Sequence, residues 1–259
     1  MSITDELLAA LPGDAAVREV RVGAFWTAVV VEREGQRRCG LASTLRDENH
    51  HHSGSHPVRD AGWLTERSAL ELAGLIHSDS LLEASIGMAT INGLLEVNEA
   101  ACVELNAEEV IRERGRGKQV VIVGHFPFIK RLRPALGQLW VLELHPGPGD
   151  LPAEAASQVI PQADVVAITS TTLINRTFEG LITLCRPDAY VLLLGPSTPL
   201  SPVLFDHGVH LLSGTLVDDV NTVLRLVSQG ASFRQIHRHG VRLVTMASPE
   251  PSGRGSALT

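Results

Sequence analysis

Between residues 119 and 214 five short apolar runs alternate with stretches long enough for a helix: QVVIVG (119–124), LWVLEL (139–144), DVVAIT (164–169), AYVLLLG (189–195) and VHLLSG (209–214). Strands with no polar face must be covered on both sides, and intervening helices supply the cover. This half therefore reads as α/β, a parallel sheet wrapped by helices. Helices are expected near 126–134, 152–159, 175–185, 200–206 and 218–228. Right-handed crossovers bring every strand's carboxyl end to one edge, where open α/β sheets bind ligands. A late run, VRLVTM (241–246), is expected to join this sheet's edge or the first part of the chain.

The first hundred residues follow another pattern. A short helix over Thr4–Leu11, capped by Ser2 or Thr4, precedes three β-like runs, VREVRVG (17–23), FWTAVVVE (25–32) and RCGLAST (38–44). Tight turns near Gly23 and Glu34-Gly35 make them an antiparallel meander. Residues 45–62 have no periodicity and read as a long irregular loop. Two helices follow, over Ser68–Ile76 and from Ser80 to about Val97. The second opens on a Ser80-x-x-Glu83 capping box and is apolar over most of its surface, which places it at the junction of the two parts. The expected division is a smaller α+β domain over 1–106, an α/β domain over 107–248 and a disordered tail over 249–259.

Composition removes several function classes. Twenty-nine acidic residues against 22 basic ones give a net charge of −7, which disfavours a sequence-independent grip on nucleic acid or on an anionic membrane. No apolar run reaches the roughly 18–20 residues of a membrane span, and the acidic, amphipathic start MSITDELLAALPGD is unlike a signal peptide, so a cytoplasmic location is expected. Cys39, Cys102 and Cys185 form no CxxC pair and read as buried free thiols. A GxSxG elbow and a P-loop lysine motif are both missing. Arg112, Arg114, Arg116 and Lys118 read as a solvated helix end, and Trp26, Trp63 and Trp140 as core or interface residues. The expected partner is a small molecule, with a homodimer left open.

The segments after the strands carry the candidate chemistry. Gly124-His125-Phe126-Pro127 has one glycine where a dinucleotide fingerprint has three. Glu143 lies 19 residues past Gly124, where a dinucleotide fold keeps its ribose-binding acid; capping a neighbouring backbone is the alternative. His145-Pro146-Gly147-Pro148-Gly149-Asp150 follows. Thr169, Ser170, Thr171, Thr172, Asn175 and Thr177 form a dense hydroxyl cluster at a helix start, suited to cradling an anion or, alternatively, to capping the helix. Gly195-Pro196-Ser197-Thr198-Pro199 makes a rigid turn on the same edge, so Thr171, Thr172, Asn175, Ser197 and Thr198 are expected to grip one anionic ligand. For metal, His50, His51, His52 and His56 share one loop, while His125 and His145 stand at strand ends; His125 and His145 are equally suited to general-base work.

The motifs GHFPFI, ELHPGPGDLP, ADVVAITSTTLINRTFEGLI, LLGPSTPLSPVLFDHGV and LLSG, with SLLEASIGMATINGLL in the first part, resemble a prokaryotic family for which heavy-metal chelation is the suggested role. The resemblance spans the chain. It implies a Rossmann-like parallel sheet in the C-terminal domain, preceded by a smaller domain like the N-terminal domain of enolase, with a site in the cleft between them and a link to metal-chelate or tetrapyrrole-related metabolism. Carried over to this sequence, its site residues are Glu83, Asn92, Phe126, Pro127, Glu143, Asp150, Thr171, Asn175, Ser197 and Thr198. With Gly124, Thr172 and Gly195 they make up the candidate ligand-binding set, and Glu83, Glu143, His125 and Asp150 are the candidate catalytic residues. The leading expectation is binding of a small anionic or metal-chelating metabolite, with a divalent transition metal, in the interdomain cleft. One alternative is an enzyme using a nucleotide-type cofactor at the same edge, with Glu143 on a ribose; another is a non-catalytic binding or scaffold module.

Overall fold

The computed structural model of the chain describes residues 1–46, 57–103 and 105–249. After α1 (Ile3–Ala9), strands β1 (Ala16–Val22), β2 (Trp26–Arg33) and β3 (Gln36–Ser43) form an antiparallel meander in that order. Helices α2 (Ala69–Ala73) and α3 (Leu81–Leu94) follow. The remaining strands are β4 (Cys102–Val103), β5 (Gln119–Val123), β6 (Gln138–Glu143), β7 (Leu151–Pro152), β8 (Val165–Thr169), β9 (Tyr190–Leu194), β10 (Leu211–Val217) and β11 (Val241–Ala247). They form one eight-stranded sheet in the order β4-β11-β10-β9-β8-β5-β6-β7. Between them lie α4 (Ala107–Arg114), α5 (Ile129–Leu132), α6 (Ala156–Val159), α7 (Thr171–Ile174), α8 (Phe178–Ile182), α9 (Val203–Asp206), α10 (Val220–Ser228) and α11 (Phe233–His239).

The six strands from β7 to β10 are parallel neighbours, while β11 and β4 run antiparallel beyond β10. Ranked by chain order the parallel six read 3-2-1-4-5-6, a doubly wound sheet. The order reverses between β5 and β8, and at that point the chain leaves the two strands toward opposite sides and opens a crevice at their carboxyl ends. Among the described residues no helix is long and apolar enough to cross a membrane.

Alternation along each strand assigns the faces. Val120 and Ile122 of β5, with Val165 and Ala167 of β8, pack under α4 and α5. Val121, Val166 and Ile168 point the other way, into a cluster shared with Leu173, Ile174 and Phe178 of α7 and α8. That cluster continues into Ile86, Met88 and Ile91 of α3, so the two sheets share one core. The meander is covered twice: Val29, Val31 and Ala42 face α3, while Ala28, Val30, Cys39 and Leu41 face α10 and α11. Hence β2 is apolar without interruption from Ala28 to Val31. At Gly40 an added Cβ would meet the Ala89 carbonyl, so a glycine lets α3 lie directly on β3.

Several expectations shift. The helix expected over 175–185 is the shorter α8, separated by Asn175–Thr177 from the unforeseen α7; of α4 only the basic end was expected, and α11, β4 and β7 were not foreseen. Cys102–Val103, assigned by the sequence to the first part, pairs with β11 in the larger sheet. VRLVTM joins that sheet, antiparallel to β10. Ser80 does cap α3, accepting from the Glu83 N–H, yet no capping box closes, because Ser80 N–H donates to Ser78 Oγ and the Glu83 carboxylate is used elsewhere. The tail from residue 250 lies outside the described residues.

Candidate functional site

A cavity of about 570 Å³ lies at the carboxyl ends of β5, β6 and β8, at the switch point of the sheet. Its described lining comes wholly from residues 123–181. Gly124 forms the floor, with φ +99° and Thr169 so close that a Cβ there would sit 2.9 Å from the Thr169 side chain. The strand can turn here only without a side chain. Glu143 and exposed Leu144 form one wall and the α7–α8 connection the other.

The polar groups of the lining differ in how far the fold already uses them. Thr172, buried, donates through Oγ1 to the Thr169 carbonyl at 2.6 Å and so closes the end of β8. Thr169 and Thr171 share one bond at 3.0 Å, which uses one of their two hydroxyl protons and leaves one to donate. Asn175 Oδ1 accepts from both the N–H and the hydroxyl of Thr177, leaving its Nδ2 as the donor end. Arg176 is the one permanent cation of the described lining. Its φ of +61° is left-handed, a conformation uncommon for a residue with a Cβ, and its N–H-to-carbonyl neighbourhood is a helix end: Thr177 N–H donates back to the Thr172 carbonyl. The guanidinium reaches Asp79 Oδ1 at 3.0 Å, which brings the first part of the chain to the cavity rim. Sequence reasoning missed Arg176; the available signal was a helix followed by Asn-Arg-Thr with no glycine to terminate it.

His125 also lines the cavity, and its Nδ1 lies 3.3 Å from the buried carboxylate of Asp150, whose Oδ2 accepts from the Gly147 N–H as well. A carboxylate on Nδ1 turns Nε2 into the available nitrogen, as ligand or proton acceptor. Glu143 lines the cavity too, its Oε2 accepting from the Leu144 N–H. Gly124, Glu143, Thr171, Thr172, Asn175 and His125 are therefore brought together, with Asp150 behind His125.

The other expected residues go elsewhere. Ser197 is completely buried, and its Oγ accepts from the Ser43 N–H at 2.8 Å. Asn92 donates from Nδ2 to the Leu41 and Ser197 carbonyls, so these two residues join α3, β3 and the turn after β9. Thr198 is buried beside them. In place of one grip shared by Thr171 and Ser197, Thr171 lines the cavity and Ser197 lies buried at the junction with β3. Phe126, Pro127 and Gly195 line a separate cavity across the sheet edge. Glu83, buried at the start of α3, accepts from the Arg59 backbone and guanidinium and from Ser78 Oγ. Burial pulls its pKa up, but these donors outweigh burial and hold it below the usual 4.5. It is a saturated structural carboxylate. His50, His51, His52 and His56 lie outside the described residues.

Metal fit is decided by the donors. Among the described residues no three His, Cys, Asp or Glu side chains gather as a metal site. Cys39 is pushed up to about 12 by burial and Cys185 to about 11, so neither is a ready thiolate. The described residues do not fit a metal held by protein alone.

Two family models, both described as "Putative heavy-metal chelation", match the chain: DUF364 over residues 106–246 and DUF4213 over 4–95. A crystal structure of a DUF364-family protein of unknown function from Desulfitobacterium hafniense superposes with a TM-score of 0.81 at 30% identity, over 95% of this chain and 98% of that one. Another from Pyrococcus horikoshii gives 0.78 at 20% identity over 93% and 97%, a likeness of fold. An uncharacterized protein of Methanocaldococcus jannaschii is 25% identical over 232 residues, 84% of this chain and 85% of its own length. Sheet order, both family models and the near-complete structural match agree, and the chain belongs to the DUF364 family.

Proposed function

We propose that the chain binds a small anionic metabolite carrying a chelated metal ion, in the cavity at the carboxyl ends of β5, β6 and β8. The observation that carries this reading is the pairing of Arg176 with His125 in one lining whose other polar groups are neutral donors, apart from Glu143. Arg176, Thr171 and the Asn175 amide suit carboxylates of the ligand, since bonds between a cation and a carboxylate are the strong ones. His125, backed by Asp150, suits a vacant position on the chelated metal. The family descriptions support the metal part of the reading. A volume of about 570 Å³ lies within the roughly 300–1,000 Å³ of small-molecule sites. The division near residue 106 belongs to the same proposal: the first part positions Arg176 through Asp79 without lining the cavity.

The nucleotide reading has one observation in its favour, Glu143 at the end of β6 in a sheet of dinucleotide-type order. Against it, the helix after Gly124 is the single turn α5, too short for a pyrophosphate cradle. Elemental analysis of untagged protein, with thermal shift against dipicolinate, its Zn²⁺ and Ni²⁺ complexes, and adenosine, tests both. The expected result is a rise in Tm of about 5–10 °C with a metal complex at a hundredfold excess over its Kd, and less with metal or dipicolinate alone. Stabilisation by adenosine but not by any complex overturns the proposal.

A further inference from the structure

A second cavity, about 630 Å³, opens on the other face of the same sheet edge, over the ends of β9 and β10. Its walls are aromatic in a chain poor in aromatics: Phe126, Phe128 and Phe233, three of the six phenylalanines in the sequence, line it. Phe126 and Phe128 stack at 5.1 Å with only 11° between their planes. Leu194 and Val241 close the sides, and Leu243 stands 40% exposed at the rim. Its permanent cation, Arg242, is already claimed by Asp218 and Glu99, and its other basic side chain, His237, stacks on Phe233 at 5.9 Å.

We infer that this cavity binds a planar, uncharged, fused-ring aromatic ligand. The half-buried phenylalanines are the reason. Apolar side chains left beside an open volume lose dispersion contacts and keep wet surface, a cost that a flat ring laid against the Phe126–Phe128 pair would relieve. Arg242 is already paired and the His237 ring lies stacked on Phe233, so the lining offers ring faces above all, and an aliphatic ligand would forgo the ring-to-ring geometry. The site is independent of the chelate cavity, although one short segment serves both: His125 lines the first and Phe126 to Phe128 the second.

The test uses 2-naphthol and its saturated counterpart decahydro-2-naphthol, both neutral, so that Arg176 gives neither an advantage. Titrations are followed by NMR on the tryptophan indole N–H groups. Trp26 packs on Phe233 at 5.4 Å, whereas Trp63 lies exposed elsewhere. Saturable shifts of the Trp26 signal with Trp63 unmoved are expected, and 2-naphthol should bind about twofold to tenfold tighter than the saturated alcohol. Phe128→Leu keeps the site apolar and should abolish that preference; its unchanged Trp63 and methyl signals report that it folds. Equal affinities for the two alcohols, shifts at Trp63 in place of Trp26, or an undiminished preference in Phe128→Leu would each overturn the inference.

Discussion

Arg176 gives the sharpest test of the chelate cavity, because its backbone and its side chain make opposite demands. A residue with a Cβ at φ +61° costs roughly 1–2 kcal/mol, and glycine removes that cost. Glycine also loses more freedom on folding, about 0.4–1 kcal/mol relative to alanine. Arg176→Gly should therefore be more stable than Arg176→Ala by about 0.5–1 kcal/mol, or about 1–4 °C in Tm for a chain of this size. The ion pair to Asp79 adds little to the balance, since Asp79 is fully exposed. Arg176→Ala should consequently melt close to the unsubstituted protein. Both variants lose a charged bond to the ligand, worth about 1.5–3 kcal/mol, so both should bind a dipicolinate complex about tenfold to a hundredfold more weakly by calorimetry. Stability rising while affinity falls is the signature of strain kept for function. If the glycine variant melts no higher than the alanine variant, the strain argument fails. If either binds the complex as tightly as the parent, Arg176 is not its anion partner.

Ser197→Ala should lower stability by about 1–3 kcal/mol through the unsatisfied Ser43 N–H, seen in urea unfolding, and leave chelate affinity unchanged once folded protein is compared; weaker binding at unaltered stability would return Ser197 to the ligand set. Glu83 and Glu108 are both held below 4.5, Glu83 against its burial by Arg59 and Ser78, and Glu108 chiefly by Arg131. A carboxylate with a depressed folded pKa stabilises above its unfolded pKa, so stability should decline as pH falls below about 4.5; the deficit of Glu83→Gln measured at pH 7 should shrink over that window, and a constant deficit would exclude the linkage. At pH 8 iodoacetamide should leave Cys39 unmodified in the native state and react with it only on unfolding, because burial pushes that thiol up to about 12; mass-spectrometric detection of native Cys39 labelling would contradict this.

Four of the six parallel strands, β5, β6, β8 and β9, were legible to within one residue because a strand covered on both faces must be continuously apolar, and such runs have few other uses; β10 ends three residues later than expected, and the two-residue β7 is too short to show such a run. Of helix α4 only the basic end was legible, because AEEVIRER buries a narrow stripe, Glu108, Val110 and Ile111, in a charged segment. The non-helical step at Asn175–Thr177, where a helix was expected to start, escaped for a different reason. It depends on Arg176 adopting a conformation that its side chain disfavours, with Asn175 and Thr177 bonding to each other across it, and local propensity cannot anticipate a choice that tertiary contacts enforce.

The candidate site divides along the same line. Thr171 and Ser197 are both small hydroxyl residues after a parallel strand, and the sequence treats them alike. What distinguishes them is the partner: Thr171 bonds Thr169, two positions away, and the pair keeps one proton between them, while Ser197 bonds Ser43, 154 residues away. Donors that hold two sheets together and donors that hold a ligand are drawn from the same residue types, because both must satisfy a polar group shielded from water. A strand-end motif in a two-sheet protein therefore carries two signals superimposed, one for assembly and one for binding. Here Asn92 and Ser197 belong to assembly by geometry, and Thr171, Asn175, Arg176 and His125 are left to meet what enters the cavity. Had Ser197 faced the cavity, the Ser43 N–H would need another partner at the junction. The GPSTP turn thus serves the junction of the two sheets, where Ser197 meets both Ser43 and Asn92.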